Sequence, residues 1–206
     1  MTSPESSSIR PEATTDKQHD IDYEQARRGV RLLLDAIGED PDQGALTDTW
    51  QRRVPDVFAT LTEGERETAK PTMRTFEADS DDLVIKTGIP LYSLCEHHLL
   101  PYHGVAHVAY RPDDAVVGLS KLPRYVRWQS RRLTMQEDLT NDIAEGLADD
   151  LDAPTVMIQI AATHMCEAMR GIETQTETTT RATVGTPTDL ERERFDRAVA
   201  RSEGSR

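Results

Sequence analysis

The sequence predicts an α+β fold with an antiparallel sheet. Apolar residues recur at helical spacing near the N-terminus and again across positions 121–149, where they indicate amphipathic helices. Runs rich in β-branched and aromatic residues lie between these segments and after them, and they indicate strands. The resulting order of helices, strands, helices and strands is typical of an α+β domain rather than of repeated βαβ units.

The first seventy positions are expected to hold a tail and a helical region. Residues 1–20 are dominated by Ser, Thr, Pro and charged residues, which predicts a disordered tail. In "DYEQARRGVRLLLDAIGED" the apolar spacing predicts a helix that ends near Gly38. "LTDTWQRRVPDVFATLTEG" predicts a second helix that is interrupted or kinked near Pro55. Residues 21–70 therefore form a predicted N-terminal helical region.

The segment 71–185 is predicted to be the main domain. Its strands are expected in "DLVIKTGIPLYSL", "GVAHVAYRP", "TVMIQIAAT" and, as one long strand with a polar face, "ETQTETTTRATVG". "DDAVVGLS" predicts a turn, a short strand and the start of a helix, and helices are expected at 121–131 and 136–149. Residues 186–206 carry five acidic and five basic residues, and predict a charged C-terminal extension that forms a surface helix with a frayed end.

The charge balance limits the partners that this chain is expected to have. Asp and Glu total 37 against 24 Lys and Arg, which gives a formal charge of −13 and argues against binding nucleic acid or anionic membranes. We expect no membrane span, no secretory signal and no disulfide framework, and therefore a cytoplasmic protein. Only four of the basic residues are lysine, and this composition predicts a surface adapted to concentrated salt, with an ordinary acidic surface as the alternative.

A metal site is indicated by the way histidine and cysteine cluster. "LCEHHLLPYHGVAHVAY" holds one of the two cysteines and four of the six histidines, and the second cysteine lies in "THMC". A tight turn in the C-x-x-H segment would bring Cys95 and His98 to one ion, and thiolate with imidazole suits zinc (Zn²⁺). On an extended backbone the adjacent His97 would point away from His98. It could then transfer protons while His98 binds the ion.

Three predicted ligands, Cys95, His98 and Cys166, would leave a position for water, as catalytic zinc sites do. On an extended chain His164 would point to the same side as Cys166. A closed structural site with His164 as fourth ligand is one alternative. Two unrelated free thiols are the other.

A basic segment between Val116 and Gln136 stands out in this acidic chain because it contains no acid. Its five bases are Lys121, Arg124, Arg127, Arg131 and Arg132. Ser120 is expected to cap a helix here, and a helix N-terminus with Lys121 and Arg124 beside it predicts a phosphate site. The alternative is a solvated helix face paired with acids, which suits Arg131 or Arg132 better.

"MQEDL", just after the basic segment, offers a possible site for a nucleobase. Guanine presents an N–H and an amino group side by side, and the carboxylate of Glu137 could accept both, with Gln136 next to it. An ordinary glutamate on a helix surface is the alternative, and the residue pattern alone favours it.

Three blocks of the chain resemble the signatures of GTP cyclohydrolase I: "LCEHHLLPYHGVAHVAYRP", "VVGLSKLPRYVRWQSRRLTMQEDLT" and "ATHMCEAMRGIE". The resemblance runs from about Ile89 to Gly185 and continues more weakly through the N-terminal helices. It implies the tunnelling fold, an antiparallel sheet with two helices on one face, which copies of the chain close into a β-barrel. It also implies a homodecamer of two stacked pentamers, with active sites between subunits. The implied reaction converts GTP and water to 7,8-dihydroneopterin triphosphate and formate.

The resemblance assigns roles to eleven positions. It implies that zinc is bound by Cys95, His98 and Cys166, and that His97 and His164 are catalytic. It further implies that the triphosphate is bound by Ser120, Lys121, Arg124 and Arg170, and guanine by Gln136 and Glu137.

The sequence departs from the family pattern in places. The usual Thr-Pro-x-Arg appears as "TWQRRV", so either Arg52 or Arg53 could stand in for its arginine. "GIETQTETTTRATVG" replaces a more basic stretch, and residues 186–206 exceed the usual end.

Two other functions are considered. One is a different tunnelling-fold enzyme of pterin or deazaguanine chemistry, such as a nitrile reductase. The cysteine and histidine set suits metal-assisted hydrolysis better. The other is a non-catalytic zinc-binding regulatory protein. A nucleic-acid zinc module would need a closed site and net basicity.

Overall fold

The computed structural model of the protein describes residues 21–78 and 80–204, so the predicted tail at 1–20 lies outside the described residues. The fold is α+β, as predicted. Its helices are α1 (Tyr23–Ala36), α2 (Leu46–Asp48), α3 (Val54–Leu61), α4 (Lys121–Ser130), α5 (Gln136–Leu151), α6 (Met165–Ala168) and α7 (Asp189–Glu203). Its strands are β1 (Thr75–Glu77), β2 (Val84–Cys95), β3 (Pro101–Arg111), β4 (Ala115–Val117), β5 (Leu133–Thr134), β6 (Thr155–His164) and β7 (Thr178–Gly185).

The main sheet has five strands in the order β5-β2-β3-β6-β7. Every neighbouring pair is antiparallel except β5 and β2, which pair in parallel over two residues. Strands β1 and β4 form a separate antiparallel pair. The long polar strand predicted from Glu173 begins only at Thr178.

The N-terminal helices follow the predicted pattern. Helix α1 ends before Ile37, and Gly38 takes the left-handed backbone conformation, with φ of 89°, that glycine adopts readily. The predicted interruption near Pro55 is a π-helical stretch, Thr49–Arg53, directly before α3. Because Pro55 has no N–H, it cannot continue the α-helical ladder back to Gln51, and the chain adjusts one turn earlier.

The core lies between the sheet and helices α4 and α5. Side chains alternate along β3 and β6 with a period of two, so each strand contributes to both faces. The face under the two helices carries the fully buried residues Tyr102, Val108, Tyr110, Val156, Ile158 and Ile160. This packing fixes the ends of β3 and β6, where the candidate site lies.

The C-terminal helix covers part of the opposite face of the sheet. Phe195 and Val199 of α7 pack with Ala109 and Met157 in a second apolar cluster. Thr188 caps the helix in a reciprocal capping box with Glu191. The predicted extension thus folds onto the sheet.

None of the helices in the described parts of the chain is long and apolar enough to cross a lipid bilayer.

Candidate active site

The strand register brings distant parts of the sequence to one end of the sheet. Strand β2 ends at Cys95 and turns into β3, where Tyr102 pairs with His164 at the end of β6. The parallel bridge pairs Cys95 with Thr134, two residues before α5 begins. The end of β2, the end of β6 and the start of α5 are therefore neighbours.

Cys95, His98 and Cys166 form a compact group at this end. One candidate ligand atom from each residue lies within 4.8 Å of the other two. The predicted tight turn is present, because the backbone carbonyl of Cys95 accepts from the N–H groups of His98 and Leu99 at 3.3 and 2.9 Å. It places Cys95 Sγ 3.7 Å from His98 Nδ1. Within the described residues, no other such cluster of three or more His, Cys, Asp or Glu side chains occurs.

The chemistry of this group fits zinc. Burial raises the pKa of the Cys166 thiol, and the neighbouring Cys95 raises it further. A bound dication would counter both effects, because it stabilises thiolates and binding releases their protons. Two thiolates and an imidazole are ligands that zinc accepts, and three of them leave a fourth position.

His164 lies beside this group but has other partners. Its Nε2 is 2.8 Å from Oε1 of Gln136, and its ring stacks on Tyr102 with centroids 4.6 Å apart and planes at 10°. Burial lowers the pKa of His164, while Glu137 and Glu167 oppose that shift. Because β6 ends at His164 and Cys166 lies in α6, the two residues are not on one extended segment as the sequence argument assumed.

His97 is exposed on the turn between β2 and β3. Its Nε2 is 4.0 Å from a carboxylate oxygen of Glu96, and its ring is nearly perpendicular to that of His98, with centroids 6.1 Å apart. The two adjacent histidines thus lie within a turn, whereas an extended backbone was expected.

The basic segment divides into paired and unpaired side chains. Arg127 forms an ion pair with Glu63 at 2.9 Å, and Arg132 donates to the carbonyl of Gly64 at 3.0 Å. Lys121 is half-buried and Arg124 exposed, and neither forms an ion pair with any residue that the structure describes. Among the described residues, the acid pairing expected at Arg131 or Arg132 occurs instead at Arg127, and Lys121 and Arg124 remain available to an anion.

Ser120 occupies the N-cap position of α4, but its side chain caps nothing, so the capping expectation was wrong. Its backbone is already helical, with φ of −76° and ψ of −14°, whereas a capping residue needs an extended backbone. The exposed hydroxyl is available to a ligand instead.

The remaining predicted site residues differ in exposure. Glu137 is exposed in the first turn of α5, and its charge acts on His164. Gln136 is buried, and both ends of its amide are bonded within the chain. Arg170 is exposed just after α6 and makes no ion pair within the described chain.

The uncertain arginines Arg52 and Arg53 both pair with Asp48, at 3.7 and 3.3 Å.

Three residues that support His164 or its partner Gln136 were not predicted from the sequence: Tyr102, Thr140 and Thr180. Tyr102 lies just before the predicted strand "GVAHVAYRP", which begins at Gly104, and the sequence pattern gave it no role. The alternating threonines of "TETTTRATVG" were a signal, because a half-buried polar face of a strand needs hydrogen-bonding partners.

The family model and the curated relatives that match this sequence agree on one family. The family model for GTP cyclohydrolase I matches residues 26–199. The GTP cyclohydrolase 1 of Hyperthermus butylicus is 46% identical over 80% of this chain and 83% of the relative. That of Geobacillus sp. is 45% identical over 74% of this chain and 82% of the relative. That of Campylobacter jejuni is 44% identical over 73% of this chain and 80% of the relative. The solved structure of an archaeosine synthase QueF-Like protein aligns with a TM-score of 0.44 and 20% identity. The alignment covers 53% of this chain and 100% of that one.

Proposed function

Because the chain belongs to the GTP cyclohydrolase I family, we propose how its residues carry out that family's reaction. The chain is a hydrolase that acts on GTP, opening the imidazole ring of guanine to give 7,8-dihydroneopterin triphosphate and formate. The observation that carries the residue assignment is the three-membered metal group beside His164 at one end of the sheet.

Cys95, His98 and Cys166 would hold zinc. Bound there, zinc would supply a water molecule of lowered pKa, and so hydroxide near neutral pH. The remaining tasks, proton transfer and substrate binding, fall to the side chains around it.

His97 and His164 are the proposed proton carriers. Hydration of guanine at C8 requires a proton on the neighbouring ring nitrogen, and opening of the ring and loss of formate require further transfers. His164 is half-buried and stacks on Tyr102, whereas His97 is exposed on the turn. This difference suits one histidine held in place and one that exchanges protons with solvent.

The triphosphate is proposed to bind to Ser120, Lys121, Arg124 and Arg170. Lys121 and Arg124 of α4 form no ion pair within the described chain, so phosphate contacts there would replace no existing ion pair. Glu137, exposed beside His164, is the proposed acceptor for the N–H and amino groups of guanine. We leave Gln136 out of the guanine contacts because its amide is already bonded within the chain.

We further propose the tunnelling fold, a homodecamer with sites between subunits, and a cytoplasmic location. The sheet has β5 and β7 as its edges, which copies of the chain could extend. Exposure of His97, Glu137 and Arg170 leaves the site open on one chain, which suits completion by a neighbour.

The test is to incubate purified protein with GTP and measure formate and the pterin chromophore, together with zinc content. We expect about one zinc per chain. Cys166→Ser should lose zinc and turnover together. Full activity in a zinc-free Cys166→Ser protein would contradict the metal assignment, and an inactive zinc-loaded wild type would contradict the function.

A further inference from the structure

The buried amide of Gln136 has a single sensible orientation. The side chain is 1% exposed, and its nitrogen lies 3.1 Å from the carbonyl oxygen of Ile160 and 2.9 Å from that of Thr178. Carbonyl oxygens only accept hydrogen bonds, so the group facing them must be the NH₂. If the amide were flipped, Oε1 would face the two carbonyl oxygens, and three acceptors would meet with no hydrogen between them. The end that faces His164 is therefore the oxygen, Oε1.

This orientation determines which nitrogen of His164 keeps its hydrogen. Nε2 lies 2.8 Å from Oε1 of Gln136, and because an amide oxygen cannot donate, Nε2 must. This bond occupies Nε2, so Nδ1 is the ring nitrogen that Gln136 leaves free. We propose that Gln136 is a positioning residue that holds His164 as the Nε2–H tautomer and makes Nδ1 its proton-transfer atom. The proposal rests on the proposed function in taking His164 as a proton carrier.

Two threonines hold the amide in this orientation. Thr180 Oγ1 is a third acceptor for the amide nitrogen at 3.0 Å, and it lies 2.6 Å from Thr140 Oγ1. Thr140 donates to the backbone carbonyl of Gln136 at 2.6 Å, so the hydrogen between the two hydroxyls comes from Thr180. The bonds close a ring from α5 to β7 and back, and they couple a strand residue to the histidine.

Tyr102 completes the support from the other direction. Its fully buried ring stacks on His164 with planes at 10°, which holds the plane of the imidazole, while the bond to Gln136 sets its rotation within that plane. Together they fix the direction of Nδ1. A residue that acts this way should affect turnover rather than binding of guanine.

The tautomer can be measured directly. Zinc-loaded protein with isotope-labelled histidine is studied by solid-state NMR, and the signals of His164 are identified by their loss in His164→Gln. We expect a protonated Nε2 and a pyridine-type Nδ1 in the neutral ring of the wild type. In Gln136→Met, which neither donates nor accepts strongly, this preference should be lost. A protonated Nδ1 with a bare Nε2 in the wild type would overturn the proposal.

Steady-state kinetics provide a second test of the positioning role. Misplacement of a catalytic group costs about 100-fold in rate, so kcat of Gln136→Met should fall on that order while its KM for GTP stays the same. Thr180→Val should lower kcat in the same direction and serves if Gln136→Met does not fold. Thr183→Val, an exposed position of the same strand, should match the wild type.

The outcomes separate the two proposals. A raised KM with unchanged kcat in Gln136→Met and Thr180→Val would show a guanine contact and overturn the positioning role. Equal losses of kcat in Thr180→Val and Thr183→Val would also overturn it, because of these two side chains only that of Thr180 contacts the amide. A wild type that releases no formate would refute the proposed function, while the NMR result would still decide the tautomer.

Discussion

Arg124→Ala should weaken GTP binding through the triphosphate. Arg124 is exposed near the start of α4 and forms no ion pair within the described chain, so the substitution breaks no existing bond. Arg127, one turn later on the same helix, is exposed too but pairs with Glu63 at 2.9 Å. Arg127→Ala is therefore a matched control that removes the same charge from the same helix.

The expected magnitude follows from the lost contact. A hydrogen bond to a charged group contributes about 1.5–3 kcal/mol, so one phosphate contact removed should raise KM for GTP about 10- to 150-fold. Loss of the Arg127–Glu63 pair should cost about 0.2–1 kcal/mol of stability, the range for exposed pairs, and leave KM nearly unchanged. Lys121→Ala should behave like Arg124→Ala.

The assay compares ligands with and without phosphates. Steady-state KM for GTP and inhibition by inorganic triphosphate should both weaken in Arg124→Ala, whereas guanosine should bind the variant and the wild type alike. An unchanged KM would refute the assignment of Arg124. An equal rise in Arg127→Ala would show that only the net charge of the helix matters, which refutes a specific contact.

Three further predictions concern other parts of the site and the surface. His97→Ala and His164→Ala should keep zinc and lose turnover; loss of zinc in His164→Ala would instead favour the closed site. Glu137→Gln should weaken the binding of GTP by about 1–3 kcal/mol, because one guanine donor then faces an amide donor. An unchanged preference for GTP over ATP would show that Glu137 does not contact guanine. Ten copies at −13 each give about −130, so a decamer should dissociate and lose activity in dilute buffer and recover in molar KCl, where the Debye length is about 3 Å. Sedimentation and initial rates across a salt series test this, and an intact active oligomer at low salt would contradict it.

Local chemistry made two of the three members of the metal group predictable. The C-x-x-H spacing requires only a tight turn to bring Cys95 and His98 together, and that turn is present. The position of Cys166 depends on β3–β6 pairing, which no local pattern encodes, and α6 begins where an extended chain was assumed. The resemblance supplied that third ligand with more certainty than spacing could.

Burial separated residues that the sequence had grouped together. Gln136 and Glu137 are adjacent and both polar, but successive helix residues point about 100° apart, which puts Gln136 under β7 and Glu137 in solvent. Composition could not show this, because the partners that satisfy Gln136 are backbone carbonyls of β6 and β7. Ser120 failed as a cap for a similar reason, since its backbone conformation decides the role and its identity does not.

The site has two parts with different physical tasks. Its buried floor consists of Cys95, Gln136 and Tyr102, and its exposed rim includes Glu137 and Arg124. Strand pairing holds Cys95 and Tyr102, and hydrogen bonds to β6 and β7 hold the side chain of Gln136, so the groups that they orient are held in place before substrate binds. Glu137 and Arg124 are exposed at helix starts, where they can meet a charged ligand before it is desolvated. Substitutions in the floor should therefore alter turnover, and substitutions in the rim should alter binding. Gln136 and Glu137 make the sharpest comparison, because these neighbours in sequence lie on opposite sides of that boundary.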